Sequence, residues 1–107
     1  MDVERVEELK RLSSAYPADG TLYYELGQLY CKSRQYMDAI YLFTAAITVE
    51  PDYAEAYLAL GDAYAAEGHT FGARQIYEEG MTVASRARSS LHLLQTFQER
   101  VTALANA

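Results

Sequence analysis

One cysteine, two histidines and an adjacent pair of glutamates are the side chains through which this 107-residue chain could perform nucleophilic, acid–base or metal chemistry. Their spacing gives them little to work with. Cys31 has only Lys32 beside it. A neighbouring ammonium can stabilise a thiolate, but no base accompanies the pair, and the plain reading is a cysteine in a helix wall. His69 falls in a turn and His92 on a helix, and neither has a Cys or His at metal-ligand spacing. Glu78 and Glu79 are neighbours on a helix, so their side chains diverge by about 100° and do not share a site. Gly27 and Gly61 lie inside helical stripes, not between a strand and a helix, which removes them from any phosphate-binding loop. The residues therefore predict no catalytic site, no metal and no cofactor, and the expectation is a protein that is not an enzyme.

Composition narrows the partners. The chain has 15 Asp and Glu against 9 Lys and Arg, a formal net charge of −6, and such a surface repels phosphate backbones. Nucleic acid is thus an unfavourable ligand. The acids concentrate in residues 1–84, while residues 85–107 are net basic. A single cysteine allows no internal disulfide. No apolar run approaches the roughly 20 residues needed to cross a bilayer. The acidic, helical start is unlike a signal peptide, so a cytoplasmic protein with no membrane partner is expected. At 50% apolar residues the chain can fill a core, and its length suits a single domain over 1–107.

The elements that must position any functional residue follow from a repeat. Tyr23, Leu26, Gly27, Tyr30, Ala39, Phe43, Ala46 and Pro51 recur 34 residues later as Tyr57, Leu60, Gly61, Tyr64, Ala73, Tyr77, Gly80 and Ser85. Five pairs are identical, two keep their size class, and Pro51/Ser85 breaks. A fixed period of this length marks a stacked architecture in which each unit buries its apolar face on its neighbours. Within each copy the apolar residues recur at three and four positions, which predicts two helices joined by a short turn and packed antiparallel. Asp52 is expected to cap a helix over about 54–66, Gly68 to close it in a left-handed turn, and Thr70 to cap a helix that carries Phe71, Ala73, Ile76, Tyr77, Gly80 and Met81 and ends near Ala84. Glycine inside a helix costs about 1 kcal/mol relative to alanine. Its return at the same register therefore predicts a close helix crossing at Gly27 and Gly61.

The register continues outward. Pro17 precedes Pro51 by 34 residues, and Val6, Leu9 and Leu12 take the places of Ile40, Phe43 and Ala46, so residues 2–15 read as the second helix of a truncated leading repeat. Repeats follow at 20–53 and 54–87. Beyond them, Leu91 and Leu94 take the places of Tyr57 and Leu60, and with Phe97, Val101 and Leu104 they form the apolar stripe of a closing helix over 88–105. The fold class is all-α, with six helices.

These residues resemble the tetratricopeptide repeat (TPR) family, whose helical hairpins carry an aromatic, Leu-Gly, Tyr, Ala, an aromatic, a small residue and Pro in this order. Tyrosine stands here in the usual tryptophan position of both copies. The resemblance implies a right-handed superhelix whose first helices line a concave groove, and a non-catalytic scaffold that holds peptide segments or partner helices there. The family's groove positions fall on Thr21, Tyr24, Gln28, Cys31 and Lys32 in the first copy, and on Glu55, Leu58, Asp62, Ala65 and Ala66 in the second. The subgroup that clamps an acidic chaperone tail uses Lys and Asn where this chain has Tyr24 and Gln28, with Glu55 and Asp62 in the next copy. The clamp is absent, and the acidity favours a basic or neutral peptide over an acidic one.

Of the ten tyrosines, Tyr24, Tyr36 and Tyr41 are not required by hairpin packing and are candidate interface residues. The leading functional expectation is a protein-interaction module that takes a peptide segment or helix in its groove, as a small chaperone or scaffold. The alternative is a structural unit that forms homo-oligomers through the closing helix, whose Leu94, Phe97, Val101 and Leu104 also read as a short coiled-coil seam.

Overall fold

Asp2, Asp19 and Ser90 each accept a hydrogen bond from a backbone amide of the turn that follows, at 3.0, 3.0 and 3.2 Å, and each starts a helix. A computed structural model describes residues 1–106 and contains six helices: α1 (Val3–Ala15), α2 (Gly20–Lys32), α3 (Tyr36–Val49), α4 (Ala54–Ala66), α5 (Thr70–Arg86) and α6 (Leu91–Ala105). Among the described residues there is no strand. Each helix packs on the next in the chain, and α2 also touches α4. This is the all-α array of antiparallel helix pairs that the repeat predicts.

The repeat extends to the backbone of the turns. Tyr16 N–H donates to the Leu12 carbonyl and Glu50 N–H to that of Ala46, one period apart. Gln35 N–H donates to the Tyr30 carbonyl and His69 N–H to that of Tyr64, closing α2 and α4 in the same way. Gly68 has φ +81°, the left-handed turn expected of it. Its counterpart Arg34 adopts φ 58° with a side chain attached, a conformation that costs an L-residue about 1–2 kcal/mol.

Close helix crossings form at the repeat glycines. A Cβ on Gly27 would lie 2.6 Å from the ring of Phe43, and one on Gly61 would press closer still against the ring of Tyr77. Phe43, Tyr77, Phe97, Leu9 and Leu60 are the largest fully buried side chains. Each contributes about 1.5–3 kcal/mol by leaving water. Gly80 makes room for a third ring, since a Cβ there would stand 2.5 Å from Phe97 of α6.

The second copy departs from the first where Ser85 replaces Pro51. Proline has no amide hydrogen and clashes with the preceding turn, so α3 stops before it. Serine imposes no such stop. α5 runs on to Arg86, 17 residues against 14 in α3, and does not end near Ala84. α6 consequently starts at Leu91, three residues later than a strict period would place it. The stripe of the closing helix shifts with it. Leu91 is 70% exposed, contrary to expectation, while Phe97 is fully buried and Leu93, Leu94, Val101 and Leu104 pack around it.

Three other local expectations are corrected. Asp52 does not cap α4: Tyr53 holds the cap position with no side-chain bond, and Ala54 N–H donates to the Asp52 backbone carbonyl. Thr70 is the first helical residue of α5, behind His69 in the cap position. Phe71 is 74% exposed, because two helical residues place it about 200° around α5 from the fully buried Ala73.

Candidate functional site

α2 and α4 run in the same direction, since each is antiparallel to the α3 between them. The valley they enclose opens toward their C-terminal ends as a groove of about 470 Å³. Gln28, Cys31 and Lys32 of α2, Tyr36 at the start of α3, and Ala59, Asp62 and Ala66 of α4 line it, with the edge of Phe43 as part of its floor. Five expected groove residues thus come together: Gln28, Cys31, Lys32, Asp62 and Ala66. Tyr36, an expected interface residue, joins them.

The others have different places. Tyr24 is half-buried, with its ring 5.0 Å from that of Tyr53 and 5.8 Å from that of Phe43. Its hydroxyl accepts a hydrogen bond from Gln28 Nε2 at 3.1 Å. The Tyr24–Tyr53 pair fills the valley at the N-terminal ends of α2 and α4, so Tyr24 is a wall of the groove and not a free anchor. Burial raises both phenols above their ordinary range, and the negative charges of Glu55 and Asp62 add to this at Tyr24. Thr21 and Glu55 are exposed at that same N-terminal end. Leu58 and Ala65 do not stand free in the groove. They pack as partly buried members of the cluster that contains Tyr77 and Phe97.

Asp62 is the largest departure from the sequence reading, which left it free to direct a ligand. Its carboxylate accepts a hydrogen bond from Tyr77 Oη at 2.5 Å and from Arg100 Nε at 2.9 Å. Arg100 lies on α6, so one side chain of α4 joins the two helices that follow it. The tyrosine is pushed well above its usual range by burial first and by this bond second. The bond to Asp62 likewise raises Arg100. The ion pair is about 40% exposed on both sides, which limits its worth to about 1 kcal/mol or less. Cys31 is also raised, mainly by burial and then by Asp62, so its thiol stays protonated near neutral pH and the lysine beside it does not make it a nucleophile.

The Arg100 contact and the alanine floor were not foreseen. A signal for the first was present: Phe43 and Gln28 of the first copy become Tyr77 and Asp62 one period later, a hydroxyl and a carboxylate gained together.

His69 and His92 are exposed, and the ring of His69 meets Tyr64 edge-on at 6.2 Å. Among the described residues no group of His, Cys, Asp and Glu could hold a metal ion. Among the described residues no helix is long and apolar enough to cross a membrane.

A family model described as TPR repeat matches residues 20–68, the first hairpin and α4. Over those residues, a little under half of the chain, sequence and helical array both match tetratricopeptide repeats. A TPR domain protein from Salinibacter ruber, solved by NMR, is 27% identical with a TM-score of 0.75, over 82% of this chain and 88% of its own. A protein from Bordetella parapertussis is also 27% identical, with a TM-score of 0.79 over 94% of this chain and 87% of its own. The TPR2B domain of yeast Sti1, solved as a complex with pHsp70, shares the fold at 18% identity and a TM-score of 0.81, over 92% of this chain and 80% of its own. No curated protein sequence matches significantly. TPR domains are protein-interaction modules, and the groove between α2 and α4 lies on the first helices of the two helical hairpins.

Proposed function

We propose that this TPR domain is a non-catalytic module that holds a segment of a partner protein in the groove between α2 and α4, as a small chaperone or scaffold. The observation that carries this reading is the groove itself. Its floor is small and apolar, and its polar rim residues Gln28 and Lys32 are exposed and not required by the core. The Sti1 domain of the same fold, solved with pHsp70, is consistent with a segment-binding role. Oligomerisation through α6 is less well supported, because Phe97, Leu94, Val101 and Leu104 turn toward α5 while Gln95, Gln98, Glu99 and Thr102 face outward.

The test fills the groove without taking away packing. Ala59→Arg with Ala66→Arg should abolish capture of the native partners and leave the melting temperature nearly unchanged, whereas Tyr41→Ser, at a side chain 76% exposed on α3, should retain them. If the Tyr41 variant loses the partners and the filled groove keeps them, the reading fails. Removing Tyr24 is a poorer test than the sequence suggests, because it uncovers Phe43 and unstacks Tyr53.

A further inference from the structure

The two ends of the groove carry opposite charge, and the middle carries none to spare. At the N-terminal ends of α2 and α4 stand Asp19, Glu50, Asp52 and Glu55. Asp19 and Glu50 are engaged by the Thr21 and Gly20 amides; Asp52 and Glu55 are exposed and form no ion pair among the described residues. At the C-terminal ends stand Lys32 and Arg34, also without an ion pair among the described residues, with Glu67 opposing them. Asp62, between the two ends, spends its charge on Arg100. A span of 13 residues separates the ends by about 20 Å along the helix axis.

The floor offers an occupant no backbone partners. Cys31, Ala59 and Ala66 present small apolar surface, the amide of Gln28 is turned to Tyr24, and the backbones of α2 and α4 are satisfied within their own helices. An extended peptide laid here would leave its own N–H and C=O groups unpaired on the apolar side, whereas a helix satisfies them internally.

Resting on the groove reading above, we infer that the occupant is an amphipathic helix of a partner protein, lying antiparallel to α2 and α4, with acids in its first turn and bases in its last. In that direction its acidic start meets Lys32 and Arg34 and its basic end meets Glu55 and Asp52. Acids at a helix start and bases at its end are also what a helix favours by itself, because they oppose its dipole. One large apolar side chain of its stripe enters the cavity over Ala59.

The probes are two synthetic peptides of about 14 residues with the same central leucines, one with Glu in the first turn and Lys in the last, the other with these reversed. Each is titrated against the full chain and against the Lys32→Glu, Glu55→Lys double variant. Comparing the ratio of affinities between the two proteins cancels the difference in helicity of the free peptides. The wild-type chain should favour the first peptide relative to the variant by about three- to tenfold, as exposed charge pairs allow. The difference should vanish in about 1 M salt while binding persists. Carbon chemical shifts of the labelled, bound peptide should be helical. An equal ratio in both proteins, or extended shifts, overturns the inference. It leaves the groove reading standing if Ala59→Arg still abolishes binding. Binding that Ala59→Arg leaves intact, or no binding of either peptide, overturns both.

Discussion

Positions 28 and 43 in the first hairpin and 62 and 77 in the second are the same places in the repeat, yet they do different work. Gln28 lines the groove above a phenylalanine, and its side chain donates a hydrogen bond to Tyr24. Asp62 also lines it, but sits above a tyrosine, and the hydroxyl and carboxylate bind each other and then Arg100 of the closing helix. Two atoms' worth of polarity turn a surface position into a tie between three helices. The lesson concerns repeats generally: shared skeleton positions fix the fold, and the pairs that change together show where one copy has been given a separate duty.

The sharpest way to break the comparison is at the glycines. Gly61→Ala drives a methyl into the Tyr77 ring, which the bond to Asp62 anchors, whereas the Phe43 ring over Gly27 has no such anchor. Gly61→Ala is expected to cost about 3 kcal/mol and Gly27→Ala less, both measured by denaturant unfolding. Gly72, where a Cβ would meet Tyr64 at an ordinary 3.6 Å, should gain up to about 1 kcal/mol as alanine. Equal losses at Gly27 and Gly61 would remove the anchoring argument.

Rewriting the second hairpin as the first comes next. Asp62→Gln with Tyr77→Phe should cost about 1–2 kcal/mol, less than the sum of the single changes, because both act on one network. Amide exchange should quicken in α6 before it does in α2. The same variant tests the pH dependence. Tyr24, Tyr53, Tyr57 and Tyr77 all have raised values in the folded chain. The protonated phenols are therefore favoured by folding, and the stability they contribute is intact below the ordinary tyrosine value of about 10 and lost as pH rises above it. The melting temperature should fall above pH 10, and the double variant should lose less of it over that range than the parent does.

The smallest expected effect is at the matching turns. Arg34→Gly copies Gly68 into the first hairpin and relieves a left-handed residue, so it should stabilise by about 1 kcal/mol. Gly68→Arg should lose a similar amount. A neutral Arg34→Gly would mean that the greater freedom of glycine in the unfolded chain offsets the relief.

Much of the fold was legible because the period writes the same contact twice. Gly27 with Phe43 and Gly61 with Tyr77 confirm each other, and the helix count follows. What could not be read depends on contacts outside the period. Leu91 was placed in the closing stripe because nothing in a strict repeat announces that replacing Pro51 with Ser85 lengthens α5 and moves α6 by nearly a turn. Asp52 and Thr70 are good capping residues that stand one place from where the backbone needs them. Of the positions expected on α2, Gln28, Cys31 and Lys32 line the groove, while Tyr24 stacks on Tyr53 and Thr21 stands at the N-terminal end. On α4, Asp62 is engaged by Arg100 of α6, whose phase was not visible, and Leu58 and Ala65 pack against the cluster around Tyr77 and Phe97.

The thiol of Cys31 is the only one in the chain and forms part of the groove wall. That makes the native protein its own occupancy gauge. Alkylation by a small maleimide is already slowed by the raised thiol, and should slow further, in proportion to the fraction of grooves filled, when any ligand covers that wall. The time course of a mass increase on an unaltered chain then measures binding without a label on either molecule.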